Sequence, residues 1–274
     1  MAPGPPTQHE ARPKSAGSGP KVGTVIGIYG GTGFYELLDD ARAENIETPY
    51  GPTSDPVMIG SVDGKAVAFL PRHGKGHRLP PHAIPYRANA WAMKELGVTD
   101  VIGLCAAGAL VPEYRPGDFV VPDQLVDRTW GRESSFIESP DVHHMAFADP
   151  YSEPHRGMAI TACREAGATV HEAGTTVVIQ GPRFSTRAES RWFAESGFHL
   201  INMTQMPEVP LTRELETEYV NIAVITDYDA GVHGEIEPVT HERVLERFAH
   251  SLGVLRIVVT GLISTIATWR QESG

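Results

Sequence analysis

The chain has 274 residues, enough for one large α/β domain or two small ones with a substantial core. Its formal net charge of −11 argues against a nucleic-acid partner, since phosphate backbones reward clustered Lys and Arg, but it leaves room for one local pocket for a small anion. The only two cysteines, Cys105 and Cys163, are far apart and lack metal-ligand spacing, which fits a reducing cytoplasm and no disulfide framework.

In chain order, residues 1–20 are rich in Pro, Gly, Ala and Ser and lack an apolar core, so they read as a disordered tail rather than a signal peptide. The domain starts at about Lys21 and runs to Gly274 without a later linker or repeat. VGTVIGIYGG is a short strand running into glycines. PVMIGSVDGKAVAFL holds two strands around Asp63-Gly64, a hairpin signal of type I′. Tyr86, Ala90, Met93 and Leu96 fall at helical spacing with Gly97 as a stop. DVIGLCAAGAL and GDFVVPDQLV read as buried strands, followed by a helix over about 154–166 and the strand TTVVIQG. Ser185 or Thr186 can cap the next helix, with Glu189 nearby. FHLINM and YVNIAVIT are further strands, separated by a helix through PEVPLTRELE, and Thr240 opens a long C-terminal helix. The apolar run within that helix contains Arg256 and several Ser and Thr, which favours a buried helix over a membrane span. Strands alternating with helices predict an α/β fold, a three-layer sandwich on a mixed central sheet. Ligands in such sheets sit beyond the strand C-termini.

Several strand ends carry ligand-capable residues. GIYGGTGFY fails the dinucleotide fingerprint, because Glu36 stands at the third glycine position, and it lacks the lysine of a P-loop. What remains is a glycine turn whose N–H groups and Thr32 hydroxyl suit one anion. Arg72 and His73 form a candidate oxyanion clamp. His77 follows four residues on, but Gly74, Gly76 and Pro80 rule out the helix that would align the two histidines on zinc. The small residues of GLCAAGAL let a ligand approach the backbone, and Phe184 offers an aromatic face. Met203 and Thr204 lie past another strand, and His143 and His144 share a loop. The acids Asp227 and Asp229 end a strand, where they could bind metal, supply a proton, read a ligand or cap a helix.

GGTGFY, PRHGKGH, GPRFSTRAES, NMTQMPE and TDYDAG, in this order, resemble the methylthioadenosine phosphorylases of the trimeric purine nucleoside phosphorylase family, from about Val22 to about Val244. The resemblance implies the purine nucleoside phosphorylase-like (phosphorylase/hydrolase-like) fold. It also implies phosphorolysis of a 5′-modified 6-aminopurine nucleoside, foremost S-methyl-5′-thioadenosine. By matching motifs, Thr32, Arg72, His73, Ala106 and Thr204 would hold phosphate. Met203, Phe184, Ser185, Cys105, Ala107 and Gly108 would border ribose or base, with His77 and His144 near the 5′ substituent. Asp227 would protonate purine N7 and Asp229 would help read the 6-amino group; members acting on 6-oxopurines tend to have Asn at the matching place. No metal or cofactor is implied, inorganic phosphate being a co-substrate, and the assembly expected is a cytoplasmic homotrimer or a dimer of trimers with no nucleic-acid or membrane partner.

Two features depart from the family pattern. Cys105-Ala106 replaces a Thr-Ala pair, losing a hydroxyl donor, and the sequence stops at Gly274, where relatives continue into residues that wall the 5′ pocket. Rival substrates are 5′-halo-5′-deoxyadenosines, then adenosine or inosine. Rival classes are a nucleoside hydrolase using the two aspartates on a metal, and a non-catalytic nucleoside binder.

Overall fold

The computed structural model describes residues 24–31, 37–140, 142–230, 232 and 239–273. The expected tail and Thr32 lie outside them. Eleven strands and five helices follow one another among the described residues. The chain opens with β1 (Val25–Gly30), β2 (Asp39–Glu44), β3 (Val57–Val62), β4 (Lys65–Pro71), α1 (Tyr86–Glu95) and β5 (Val98–Ala109). Next come β6 (Phe119–Val120), β7 (Gln124–Arg128), α2 (Glu153–Glu165), β8 (Val170–His171), β9 (Thr175–Ile179) and α3 (Arg187–Glu195). The last are β10 (Leu200–Asn202), α4 (Gln205–Glu214), β11 (Glu218–Tyr228) and α5 (His241–Ser273).

The sheet is mixed, as its sequence pattern implies. Its main path runs β2-β3-β4-β1-β5-β10-β9-β7, with β11 on the other side of β5, then β6 and β8. The apolar β1 is buried throughout and pairs in parallel with β4 and β5. β3 and β4 form the expected hairpin, with both Asp63 and Gly64 at positive φ (47° and 73°), as a type I′ turn requires. The twelve-residue β5 is shared: its first half lies beside β1, its last two residues pair with β10, and β11 runs along it in parallel. Gly103 of β5 has no room for a Cβ, which would fall 1.8 Å from the Tyr219 hydroxyl of β11.

Two strands differ from expectation. β2 has no apolar face, because five of its six residues are exposed, so no alternation marks it. GDFVVPDQLV yields two strands, β6 and β7, separated at Val121–Asp123 where Pro122 cannot donate to a ladder. At α3, Thr186 rather than Ser185 is the N-cap. Its hydroxyl accepts from Glu189 N at 3.2 Å while Glu189 Oε2 accepts from Thr186 N at 2.7 Å, a complete capping box.

Helices cover both faces of the sheet. Ala159 and Cys163 of α2 join Leu255, Val258, Leu262 and Ile266 of α5 against Ile26, Ile28 and Ile102. Ala92 and Met93 of α1 and Val209 of α4 pack with Tyr29, Leu70 and Val101 on the other face. α5 is long and apolar enough to span a membrane by composition alone. Its residues at three- and four-residue spacing are instead fully buried in the sheet core, each contributing about 1.5–3 kcal/mol of burial free energy. Trp269 and Arg270 close its far end: Arg270 Nη2 donates to Asp100 Oδ1 at 2.9 Å, and the same carboxylate meets His155 Nε2 at 2.5 Å.

Candidate active site

The ends of β4, β5, β9, β10 and β11 converge on one cavity of about 460 Å³, closed on one side by the first turns of α5. Strand C-termini are where sheets of this kind place ligands. Arg72, His73, His77, Cys105, Ala106, Ala107, Gly108, Phe184, Met203, Thr204, Asp227 and Asp229, drawn from motifs up to 157 positions apart, all line it. Ser185 is buried beside Asp229 rather than in the lining. His144 is exposed in the 142–148 segment and is not brought to the cavity of its own chain.

The anion end departs from the simple clamp expected of Arg72 and His73. Arg72 is buried, and its fork is largely spent within the protein. Nε and Nη2 donate to Glu208 Oε2 and Oε1 at 2.6 and 2.7 Å, Nη2 also reaches Tyr29 O at 3.2 Å, and Nη1 donates to Leu104 O. Four of its five N–H bonds are thus used, leaving one on Nη1 for a ligand. Burial alone would lower its pKa, but the Glu208 carboxylate outweighs it and holds Arg72 charged. Tyr219 Oη also donates to Glu208 Oε1, at 2.7 Å.

His73 is correspondingly neutral. Its Nδ1 lies 2.8 Å from Leu79 O, a group that can only accept, so Nδ1 carries the proton and Nε2 keeps a lone pair. Burial, then the neighbouring His77, lowers its pKa to about 3. The ring therefore presents a lone pair at Nε2 rather than a donor. His77 stacks on it with centroids 4.0 Å apart, and His241 of α5 lies 4.9 Å beyond. The Cys105 thiol is hydrogen-bonded within the protein: Sγ donates to Asn221 Oδ1 at 3.4 Å and accepts from Asn202 Nδ2 at 3.3 Å, and burial raises its pKa. Thr204 stands at the N-cap of α4, but its hydroxyl makes no cap bond there.

At the end of β11 stand the two acids. Gly108 makes space for them, since a Cβ there would lie 3.1 Å from Asp227 Oδ1 and 3.5 Å from Asp229 Cβ. Burial raises the Asp227 pKa to about 6; Thr226, whose Oγ1 donates to Oδ2 at 2.7 Å, opposes the rise and Asp229 adds to it. Burial raises Asp229 as well, opposed by Ser190 Oγ, which donates to Oδ2 at 2.6 Å. Among the described residues no cluster of His, Cys, Asp and Glu is arranged to hold a metal ion.

Sequence reasoning missed Glu208, Asn202, Arg78 and the α5 wall of His241, Val244, Leu245 and Phe248. Only the wall had a readable signal, the i, i+3, i+4, i+7 spacing of one helix face.

A purine nucleoside phosphorylase of Streptomyces coelicolor is 46% identical over 254 residues, 90% of each chain. An S-methyl-5′-thioadenosine phosphorylase of Mycolicibacterium smegmatis is 54% identical over 209 residues, covering 76% of this chain and 78% of its own. A crystal structure of a variant adenosine/methylthioadenosine phosphorylase of Schistosoma mansoni, in complex with methylthioadenosine, superposes with a TM-score of 0.84 at 39% identity, covering 89% of this chain and 92% of that one. The model of the phosphorylase superfamily matches residues 25–264, and the chain belongs to that family.

Proposed function

We propose that this protein is a pentosyltransferase that cleaves S-methyl-5′-thioadenosine with inorganic phosphate, giving adenine and 5-methylthioribose-1-phosphate. One observation carries the reading. One cavity is lined both by Arg72, His73 and Thr204 and by a buried carboxyl pair whose first member has its pKa raised to about 6. The family and its methylthioadenosine-bound relative supply the substrate class.

Phosphate oxygen forms a bond to C1′ as the C1′–N9 bond breaks, and the bonding pair leaves on the purine. The fraction of Asp227 that its raised pKa keeps protonated gives its proton to N7, a contribution of roughly 10²–10⁴-fold. A bound phosphate beside the developing sugar cation stabilises it electrostatically. The free Nη1–H of Arg72 meets a phosphate oxygen, and the bare Nε2 of His73 accepts a hydrogen bond from the P–OH of monohydrogen phosphate, so the site selects a partly protonated anion. Asp229 accepts from the 6-amino group, and Phe184 covers the ring. Val244, Leu245 and Phe248 give the 5′ end an apolar wall suited to a methylthio group. His144 reaches a 5′ substituent only if a second copy brings it there, which accords with a homotrimer; sedimentation velocity would report that state. Neither a metal nor a cofactor has a role in this scheme, and the protein acts in the cytoplasm.

The test is a phosphate-dependent assay of methylthioadenosine, 5′-halo-5′-deoxyadenosine, adenosine and inosine in parallel, with and without a chelator. Highest kcat/KM on methylthioadenosine, insensitivity to chelator and no turnover without phosphate are expected. Equal efficiency on inosine would sink the 6-amino assignment, and cleavage without phosphate would make the protein a hydrolase.

A further inference from the structure

β11 carries a break in register where it matters most. Ile225 pairs with Ala107 and Asp227 with Gly108, so Thr226 is an extra residue outside the ladder register, its hydroxyl 3.4 Å from Ala107 O of β5. Such a bulge re-aims the side chains that follow it and takes one peptide out of the ladder. Thr226 is buried, and a buried carbonyl without a donor is costly. Arg247 of α5 supplies the donor: its Nη1 lies 2.8 Å from Thr226 O. The Thr226 hydroxyl in turn donates to Asp227 Oδ2. One guanidinium therefore ties the first turns of α5 to the residue that holds the Asp227 carboxyl.

We propose that Arg247 is a positioning residue for the reaction, acting through the Thr226 bulge to fix the Asp227 carboxyl and the α5 wall that faces it. The inference rests on the reading of Asp227 as the proton donor. His241, Val244, Leu245 and Phe248 line the cavity from the same helical turns, so the one bond sets the wall and the acid together. Arg247 itself is not among the lining residues and acts through its neighbours.

The charges around Asp227 make this testable. Asp229 stands just past the end of its strand, β11. Arg243, Arg247 and His241 lie on α5, Arg72, His73, His77 and Arg78 on the segment after β4, and the Cys105 thiol on β5. Arg247 and Arg243 lower the Asp227 pKa while Asp229 raises it. A general acid works only while protonated, so kcat/KM falls as pH rises through its pKa.

The pH dependence of kcat/KM for methylthioadenosine, measured on the full chain with R247M, R247K and D227N, decides the matter. In R247M the falling limb should move to higher pH by roughly half to one unit, the effect of one lost charge a few ångströms away. The peak value should also drop several-fold as the bulge loosens. R247K keeps the charge and should keep the limb in place. If R247M does not fold, R247Q, which retains a neutral donor, should show the same displacement. A limb unmoved in both neutral variants, or moved as far by lysine, would overturn the inference. The acid reading fails separately if D227N keeps wild-type activity and the wild-type limb.

Discussion

Replacing Glu208 by Gln tests what holds the anion end in place. Glu208 accepts two charge-assisted bonds from Arg72, at 2.6 and 2.7 Å, and one from the Tyr219 hydroxyl, with Arg72 and Glu208 both nearly inaccessible to solvent. Gln keeps one oxygen of the same shape, which at the Oε1 position still accepts from Tyr219 Oη and Arg72 Nη2. It sets an NH₂ donor against the second Arg72 donor and leaves the guanidinium without a counter-charge. Losing one bond to a charged group costs about 1.5–3 kcal/mol, and breaking a buried ion pair on one side costs about 3–5 kcal/mol, so a loss near 3 kcal/mol is expected. For a chain of this size that is a fall in Tm of about 6–12 °C, read by calorimetry at fixed protein concentration, since any assembly makes Tm concentration-dependent. The double variant R72M/E208L removes both charges and should recover most of that loss, while phosphate-dependent turnover disappears with the Arg72 donor. A Glu208→Gln loss below about 1 kcal/mol, or a double variant whose loss equals the sum of its two singles, would refute the claim that the pair is coupled and unscreened.

D227N should trade activity for stability. Above pH 6 the native state holds a buried carboxylate whose pKa is raised, so the wild type loses stability as pH rises through about 6. From about 4 to about 6 the penalty approaches 2–3 kcal/mol. D227N should therefore melt higher than wild type at pH 8, yet turn over roughly 10²–10⁴-fold more slowly on methylthioadenosine. C105A should lower stability by about 1–3 kcal/mol, because Asn202 Nδ2 and Gln205 Nε2 lose their sulfur acceptor. The KM for phosphate should stay unchanged, and a large change there would mean that the thiol meets the anion directly. At the far end of the sheet, burial would raise the Asp100 pKa, but hydrogen bonds from His155, Arg270 and Thr99 outweigh it and hold it low. Its contribution is present above the ordinary aspartate range and lost as pH falls through the lowered value. Acid unfolding monitored by circular dichroism should accordingly begin at higher pH in R270M than in wild type.

How far the sequence discloses such a molecule depends on the range of the interactions involved. The β3–β4 hairpin, the Thr186–Glu189 box and the stop of α1 before Gly97 are decided within a few residues, and each was readable. The lining residues were found because strand ends in an α/β sheet share one edge, so motifs far apart in the chain meet there. The chemistry of those residues was less visible, because it is set by partners that spacing does not reveal. Arg72 reads as a free fork until Glu208, 136 positions later, takes most of it. His73 reads as a donor until the Leu79 carbonyl claims its proton. Asp227 and Asp229 look equivalent as D-x-D, yet a threonine hydroxyl and an arginine-capped bulge serve the first while a helix serine serves the second. Local sequence thus marks where side chains gather, whereas protonation and donor count follow from contacts across the sheet. In this cavity the pairing of Arg72 with Glu208 and of His73 Nδ1 with Leu79 O leaves one Nη1–H and one Nε2 lone pair, a donor count that no motif spacing records.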